Sequence, residues 1–402
     1  MSAPADIRIP ADLLPNDGRF GVGPSIVRPE AITALAAEAN SYLGTSHRQD
    51  RVKDMVGRLR SGLAELFSLP DGWEIVLGNG GTTVFWDAAT FGLIDERSQH
   101  LSYGEFSSKF VKAVAAAPHL GDPEVIEAEP GTAGEPKPSD VDTYALIHNE
   151  TSTGVATTMR RPDGVSADDA LVLVDATSAA SGLRWDPAEV DCYYFAPQKC
   201  FGSDGGLWLA ACSPAAVERI ERIAASPRWC PASIDLGIAL DNSRKNQTYN
   251  TPALATVFLA VHQIEWFNNN GGLEWSAGRS DASAETMYGW ADASDYATPF
   301  VVDPAHRSAV VATIDLDDRF QADDVIAACR ANGILDIGGY RKLGRNQLRV
   351  SMFPGVDPAD VEALTHCIDS VSYTHLRAHE TKTRIAYGGM RGKRGGGGGG
   401  GG

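Results

Sequence analysis

ALVLVDATSAASG (residues 170–182) and DCYYFAPQKCFGSDGG (residues 191–206) decide the fold. Each opens with a short, nearly continuous apolar run rich in β-branched or aromatic residues. Strands buried on both faces of an α/β sheet have this composition. The first run ends at Asp175 and the second leads to Lys199, 24 positions later. In open α/β sheets ligands bind at the carboxyl ends of strands. An ammonium group placed after a buried strand is costly unless it is neutralised or used, and a Schiff base does both. Taken singly, the lysine could keep its head in solvent and the aspartate could cap its loop. The two together on neighbouring strands carry more information.

Outward from this pair, GWEIVLGNGG (72–81) is a strand stopped by glycines, and TTVFWDAATFGLI begins a helix. Gly80, Gly81, Thr82 and Thr83 then aim backbone N–H groups and hydroxyls at one point, an anion site at a helix N-terminus. The turn is neither GxGxxG nor a Walker A loop. TYALIHNE (143–150) and GLWLAACS (206–213) read as further buried strands. Helical spacing marks 30–43, 51–67, 214–226 and 252–272, the last a candidate passage between domains. Strands at 296–316 and 346–354 and helices at 322–334 and 357–371 complete the order. The expected architecture is α/β: a large domain (15–265) with a mostly parallel sheet flanked by helices, and a smaller α+β C-terminal domain (266–371). From Ser372 the text loses any period, carries six Lys/Arg against one Glu and ends in eight glycines. Residues 372–402 therefore read as a non-native, disordered tail.

The 402 residues are 43% hydrophobic and 22% charged, as in globular proteins, with a net charge of -17. That acidic field disfavours nucleic acid and anionic membranes as partners, and an anionic substrate needs its own basic cluster. The six cysteines show no paired spacing, which points to free thiols in a reducing compartment and to no metal site. No basic, apolar leader and no membrane-length apolar run is visible, so a cytoplasmic location is expected.

SHRQ (46–49), GNGGTT (78–83), GEFSSKF (104–110), HNETSTG (148–154), VDATSAASG (174–182), APQKCFGSDGG (196–206), NTPA (250–253) and GYRKLGRNQLRVSMF (339–353) follow one another in the order of a known family. Over residues 15–371 the chain resembles the phosphoserine aminotransferases of the actinobacterial type. These form a branch of the class V, fold type I enzymes that depend on pyridoxal 5'-phosphate. The resemblance implies Lys199 as the catalytic Schiff-base lysine and Asp175 as the partner of the pyridine nitrogen. Gly81, Thr82 and Gln198 match phosphate ligands, Phe106 a ring stacked on the cofactor, and Thr151 a hydroxyl near its phenolic oxygen. Asn250 and Thr251 match residues that reach the cofactor phosphate of a neighbouring subunit, which implies a homodimer. His47, Arg48, Arg341 and Arg349 match the groups that bind substrate phosphate and carboxylate. Two departures stand out: threonines follow the glycine pair where many members outside this branch carry an arginine, and Tyr340-Arg341 replaces a His-Arg pair.

The implied reaction moves the amino group of L-glutamate to 3-phosphohydroxypyruvate, giving O-phospho-L-serine and 2-oxoglutarate in serine biosynthesis, with pyridoxine biosynthesis as a possible second use. An alanine–glyoxylate or serine–pyruvate aminotransferase would share Lys199 and Asp175 but has no use for a second anion site. A non-catalytic binding module of the same fold would not need the Lys199–Asp175 pair, and a nucleic-acid binder would work through the basic tail.

Overall fold

The structure, a computed structural model, describes residues 4–373. Seven strands form the main sheet: β1 (Glu74–Asn79), β2 (Ser98–Ser102), β3 (Glu124–Glu127), β4 (Thr143–Ile147), β7 (Leu171–Asp175), β8 (Cys192–Phe195) and β9 (Leu207–Cys212). A two-residue pair, β5 (Asn149–Glu150) and β6 (Val155–Ala156), forms a small hairpin after β4. The order is β1-β9-β8-β7-β4-β2-β3. β9 alone runs against its neighbours β1 and β8; the other pairings are parallel.

Alternation along each strand sorts side chains to two faces. On β7, Val172 and Val174 enter one core while Leu171 and Leu173 enter another; on β8, Tyr193 and Phe195 part from Cys192 and Tyr194 in the same way. Helices α2 (Asp50–Leu66) and α7 (Leu254–Asn269) cover the first face, below α1 (Pro29–Tyr42). Helices α3 (Thr82–Gly92), α5 (Pro214–Ala224) and α6 (Leu236–Ser243) cover the second, with α4 (Glu105–Ala115) beside α3. The sheet is thus the middle of three layers, which is why its central strands show no exposed residue.

A third core belongs to the C-terminal α+β part. It holds the antiparallel sheet β10 (Ala297–Pro299), β11 (Val311–Leu316), β12 (Gln347–Ser351), helix α9 (Ala322–Ala331) and a last helix, α10 (358–373). Ile7, Ile9 and Phe20 pack in this same core, so the chain begins there before it enters the large sheet. The expected passage at 252–272 falls one helix later. α7 buries its length in the large core, whereas α8 (Gly272–Ala293) starts against that core at Leu273 and Trp275 and ends in the small one at Met287 and Ala291. Apolar periodicity signals a helix only where one face is wet; α8, mixed in polarity and rich in Ala and Ser, gives little such signal. Of the expected tail, residues 372 and 373 continue the last helix and the rest lies outside the described residues.

Candidate active site

β1, β4, β7 and β8 point the same way, so their carboxyl ends gather along one edge of the sheet. β7 ends at Asp175, whose carboxylate is enclosed. Thr177 donates to Oδ1 through its backbone N–H (2.9 Å) and its hydroxyl (2.6 Å), and the Trp86 indole donates to Oδ2 (3.0 Å). Burial pushes the Asp175 pKa up to about 6 against the pull of those three hydrogen bonds. The group is therefore mostly a carboxylate at neutral pH, poised to hold a proton on a facing base.

Lys199 follows β8 by four residues. Its Nζ donates to the carbonyl of Val22 at 2.5 Å. Burial, aided by the charge of Arg349, brings its pKa down to about 8, with Asp175 pulling the other way. An amine so tuned is available as a nucleophile and as a base near neutrality.

Between β1 and α3 the chain turns through Gly80 and Gly81. Gly80 has φ +110°, and a Cβ there would strike Val84 at 2.6 Å, so only glycine makes this turn. Gly81 caps α3, and nothing lies within 4 Å of where its Cβ would be. Gly81, Thr82 and Thr83 at the N-terminus of α3 thus border free space, and the Thr82 hydroxyl lies 2.7 Å from that of Thr177.

These elements enclose a cavity of about 340 Å³. Gly81, Thr82 and Phe106 line it from the α3 and α4 sides, and Thr151, Asp175, Gln198 and Lys199 from the strand ends. Thr151 is held by its hydroxyl on Ser178 (2.7 Å), which also takes the Asn149 amide (2.8 Å). Gln198 leaves its Oε1 buried without a partner.

A second, open cleft of about 1050 Å³ adjoins at Val22 and Gly23 and is lined by Arg341 and Arg349. Arg349 reaches in from β12, donates to the Thr151 carbonyl (3.1 Å) and lies over the Tyr340 ring at 5.2 Å. Its Nε is buried with no partner, a donor left for an anion. Arg341 is exposed at the start of a short 3-10 turn.

The remaining four predicted residues line neither space. His47 and Thr251 come together, Nδ1 to Oγ1 at 3.1 Å, and the Thr251 carbonyl accepts from Asn79 (2.9 Å) at the end of β1. Arg48 and Asn250 are exposed beside them. Sequence reasoning missed Trp86 and Thr177, which hold Asp175, and the Gly21–Pro24 segment, which holds Lys199. Trp86 was findable: it sits four residues after Thr82 on one helix and so shares its face. The contact of Val22 with Lys199 had no local signal.

Residues 20–364 match the family described as Aminotransferase class-V. The chain is 61% identical over 366 residues to a phosphoserine aminotransferase of Nocardioides sp., covering 91% of this chain and 98% of that one. To the phosphoserine aminotransferase of Rhodococcus jostii it is 59% identical, covering 90% and 97%. Among solved structures, a phosphoserine aminotransferase from Cytophaga hutchinsonii superposes with a TM-score of 0.80 at 22% identity, covering 89% and 99%. A pyridoxal-phosphate-bound phosphoserine aminotransferase from Trichomonas vaginalis gives 0.72 at 21%, covering 87% and 99%. At such identities these two speak for the fold.

Proposed function

The chain belongs to the class V aminotransferases, and on that premise we propose that it transfers the amino group of L-glutamate to 3-phosphohydroxypyruvate, yielding 2-oxoglutarate and O-phospho-L-serine. The observation that carries the reading is a tuned amine and a buried carboxylate lining one cavity, Lys199 and Asp175.

The cavity suits pyridoxal 5'-phosphate. Its volume is that of a small-cofactor site, a free helix N-terminus opens on it where a phosphate needs donors, and an amine and a carboxylate stand ready for an aldehyde and a ring nitrogen. In the proposed arrangement Gly81, Thr82 and Gln198 would hold the phosphate, Phe106 would pack on the ring, Thr151 would serve the phenolic oxygen and Asp175 would keep the ring nitrogen protonated. When bound, the cofactor supplies an aldehyde for amine exchange and a ring that accepts electrons from the bond being broken. Lys199 would hold the aldehyde carbon until a substrate amine takes its place, and its Nζ would then carry the Cα proton to that carbon within the same half-reaction and back to Cα in the second half. Arg349 fixes the carboxylate common to both substrates and Arg341 receives the phosphate, whereas His47 and Arg48, which line neither space of their own chain, would reach a phosphate only in the site of a second subunit. Val22 and Gly23 confine the lysine so that it acts over a short path.

Asn250 and Thr251 support a homodimer in this reading, since they stand outside the cavity of their own chain yet are exposed near the end of β1. Six free thiols support a reducing, cytoplasmic location; among the described residues no helix is long and apolar enough to cross a membrane. The open cleft leaves room for a related four-carbon phosphorylated acid, so a share in pyridoxine biosynthesis belongs to the same proposal. A large and a small part are proposed on the two separate cores, with the division within α8 rather than at residues 265 and 266, because Phe267, Leu273 and Trp275 still pack in the large core and Met287 in the small one. The test is a coupled assay of 3-phosphohydroxypyruvate with L-glutamate, run beside pyruvate and glyoxylate. Preference for an unphosphorylated acceptor would replace this reading with that of another class V aminotransferase.

A further inference from the structure

Glu150 is fully buried, yet it forms no ion pair within 4 Å among the described residues. Its carboxylate instead accepts from the first turn of α4: Phe106 N (3.1 Å), Ser107 N (2.9 Å) and the Ser107 hydroxyl (3.0 Å). From its own hairpin it accepts the Ser152 N–H (3.2 Å) and hydroxyl (2.6 Å). The Ser152 oxygen in turn accepts from Glu105 N at 3.1 Å. Space for this side chain is reserved, because a Cβ on residue 104 would fall 2.3 Å from the Glu150 Cγ. A charge at the positive end of a helix is stabilised there, and its hydrogen bonds are of the strong, charge-assisted kind.

The two segments tied together are both walls of the cavity. α4 carries Phe106, and the hairpin carries Thr151, whose carbonyl takes the Arg349 guanidinium. Saturated by donors, the Glu150 carboxylate has no acceptor to offer a ligand; what it can do is fix the spacing of those walls. We propose that Glu150 is a positioning residue for the amino-transfer reaction, holding Phe106 and Thr151 at the separation the cofactor requires. This inference rests on the cavity being the pyridoxal-phosphate site.

The experiment compares wild type with Glu150→Gln, which keeps shape but turns an acceptor into a donor facing donors. Both are loaded with pyridoxal phosphate, and the visible circular dichroism of the bound cofactor, its Kd and the kcat and KM for glutamate are measured. The expected result is a diminished dichroic band, a Kd weakened by about tenfold or more and a fall in kcat larger than the change in KM. An E150Q protein with unchanged dichroism, Kd and kcat, whatever its melting temperature, overturns the role of Glu150. A wild type that takes up no pyridoxal phosphate overturns the reading of the cavity and this inference together. If E150Q does not fold, Ser152→Ala removes the 2.6 Å donor and leaves the carboxylate. Its dichroic band must move in the same direction, and an unchanged band overturns the proposal.

Discussion

Lys199 Nζ donates to the carbonyl oxygen of Val22 at 2.5 Å, across 177 positions of sequence. The amine is therefore held by the N-terminal segment, which packs at Phe20 in the core of the small C-terminal part. The group at the centre of the site is shared between the two halves of the molecule.

A Cβ on residue 23 would stand 1.9 Å from that nitrogen and 2.7 Å from Cε, at a φ of +152°. Gly23→Ala must displace the lysine or the segment. The expected outcome is a loss in kcat of about tenfold or more with the fold retained, because a displacement of about 1 Å at a reacting group has that effect. Kinetics with circular dichroism of the backbone check it, and an unimpaired kcat would contradict the confinement.

Lys199 has its pKa lowered to about 8 by burial and then by Arg349. The neutral amine is the nucleophile, so capture of pyridoxal phosphate by the apoenzyme should accelerate as pH rises and level off above about 8. Removing the neighbouring cation lets the ammonium form persist, so Arg349→Ala should move this midpoint upward. Stopped-flow absorbance across pH measures both, and a midpoint that stays put in the variant would exclude the influence of Arg349.

Trp86→Phe removes the 3.0 Å hydrogen bond to Asp175 and leaves Thr177 alone to oppose burial. The carboxyl pKa should rise above about 6, so less of it is charged at neutral pH. The acid limb of the kcat profile should shift to higher pH, with kcat near neutrality down by about tenfold, as for loss of a hydrogen bond to a charged group. An unmoved acid limb would show that Trp86 only packs.

Arg349 and Arg341 should separate the two substrate ends. Arg349→Ala is expected to raise KM for glutamate and for the oxo acid alike, since both carry a carboxylate. Arg341→Ala should raise it for the phosphorylated oxo acid and leave the glutamate half-reaction within about twofold, as an exposed arginine elsewhere would. Single-turnover measurement of each half-reaction distinguishes them; a glutamate defect in the Arg341 variant would argue against its phosphate role.

The elements legible in the sequence are those whose physics is local. The buried strands around Asp175 and Lys199 announce themselves by apolar runs, and the turn at Gly80 and Gly81 by its glycines. Helices with one wet face, such as α2 and α5, show their period. α8, mixed in polarity, gives no such period, and α4 goes unread although it is as long as α5, and with it the reason that Phe106 stands where it does.

The sequence by itself determined an α/β sheet that delivers a carboxylate and a lysine to one edge, because strand burial and alternation are written residue by residue. Only the tertiary structure decided what holds those groups: Val22 on Lys199, Trp86 on Asp175, Glu150 across α4 and the hairpin. Each of these contacts joins segments far apart in the chain, and which distant donor meets which acceptor is settled by the packing of layers and leaves no period or composition to read.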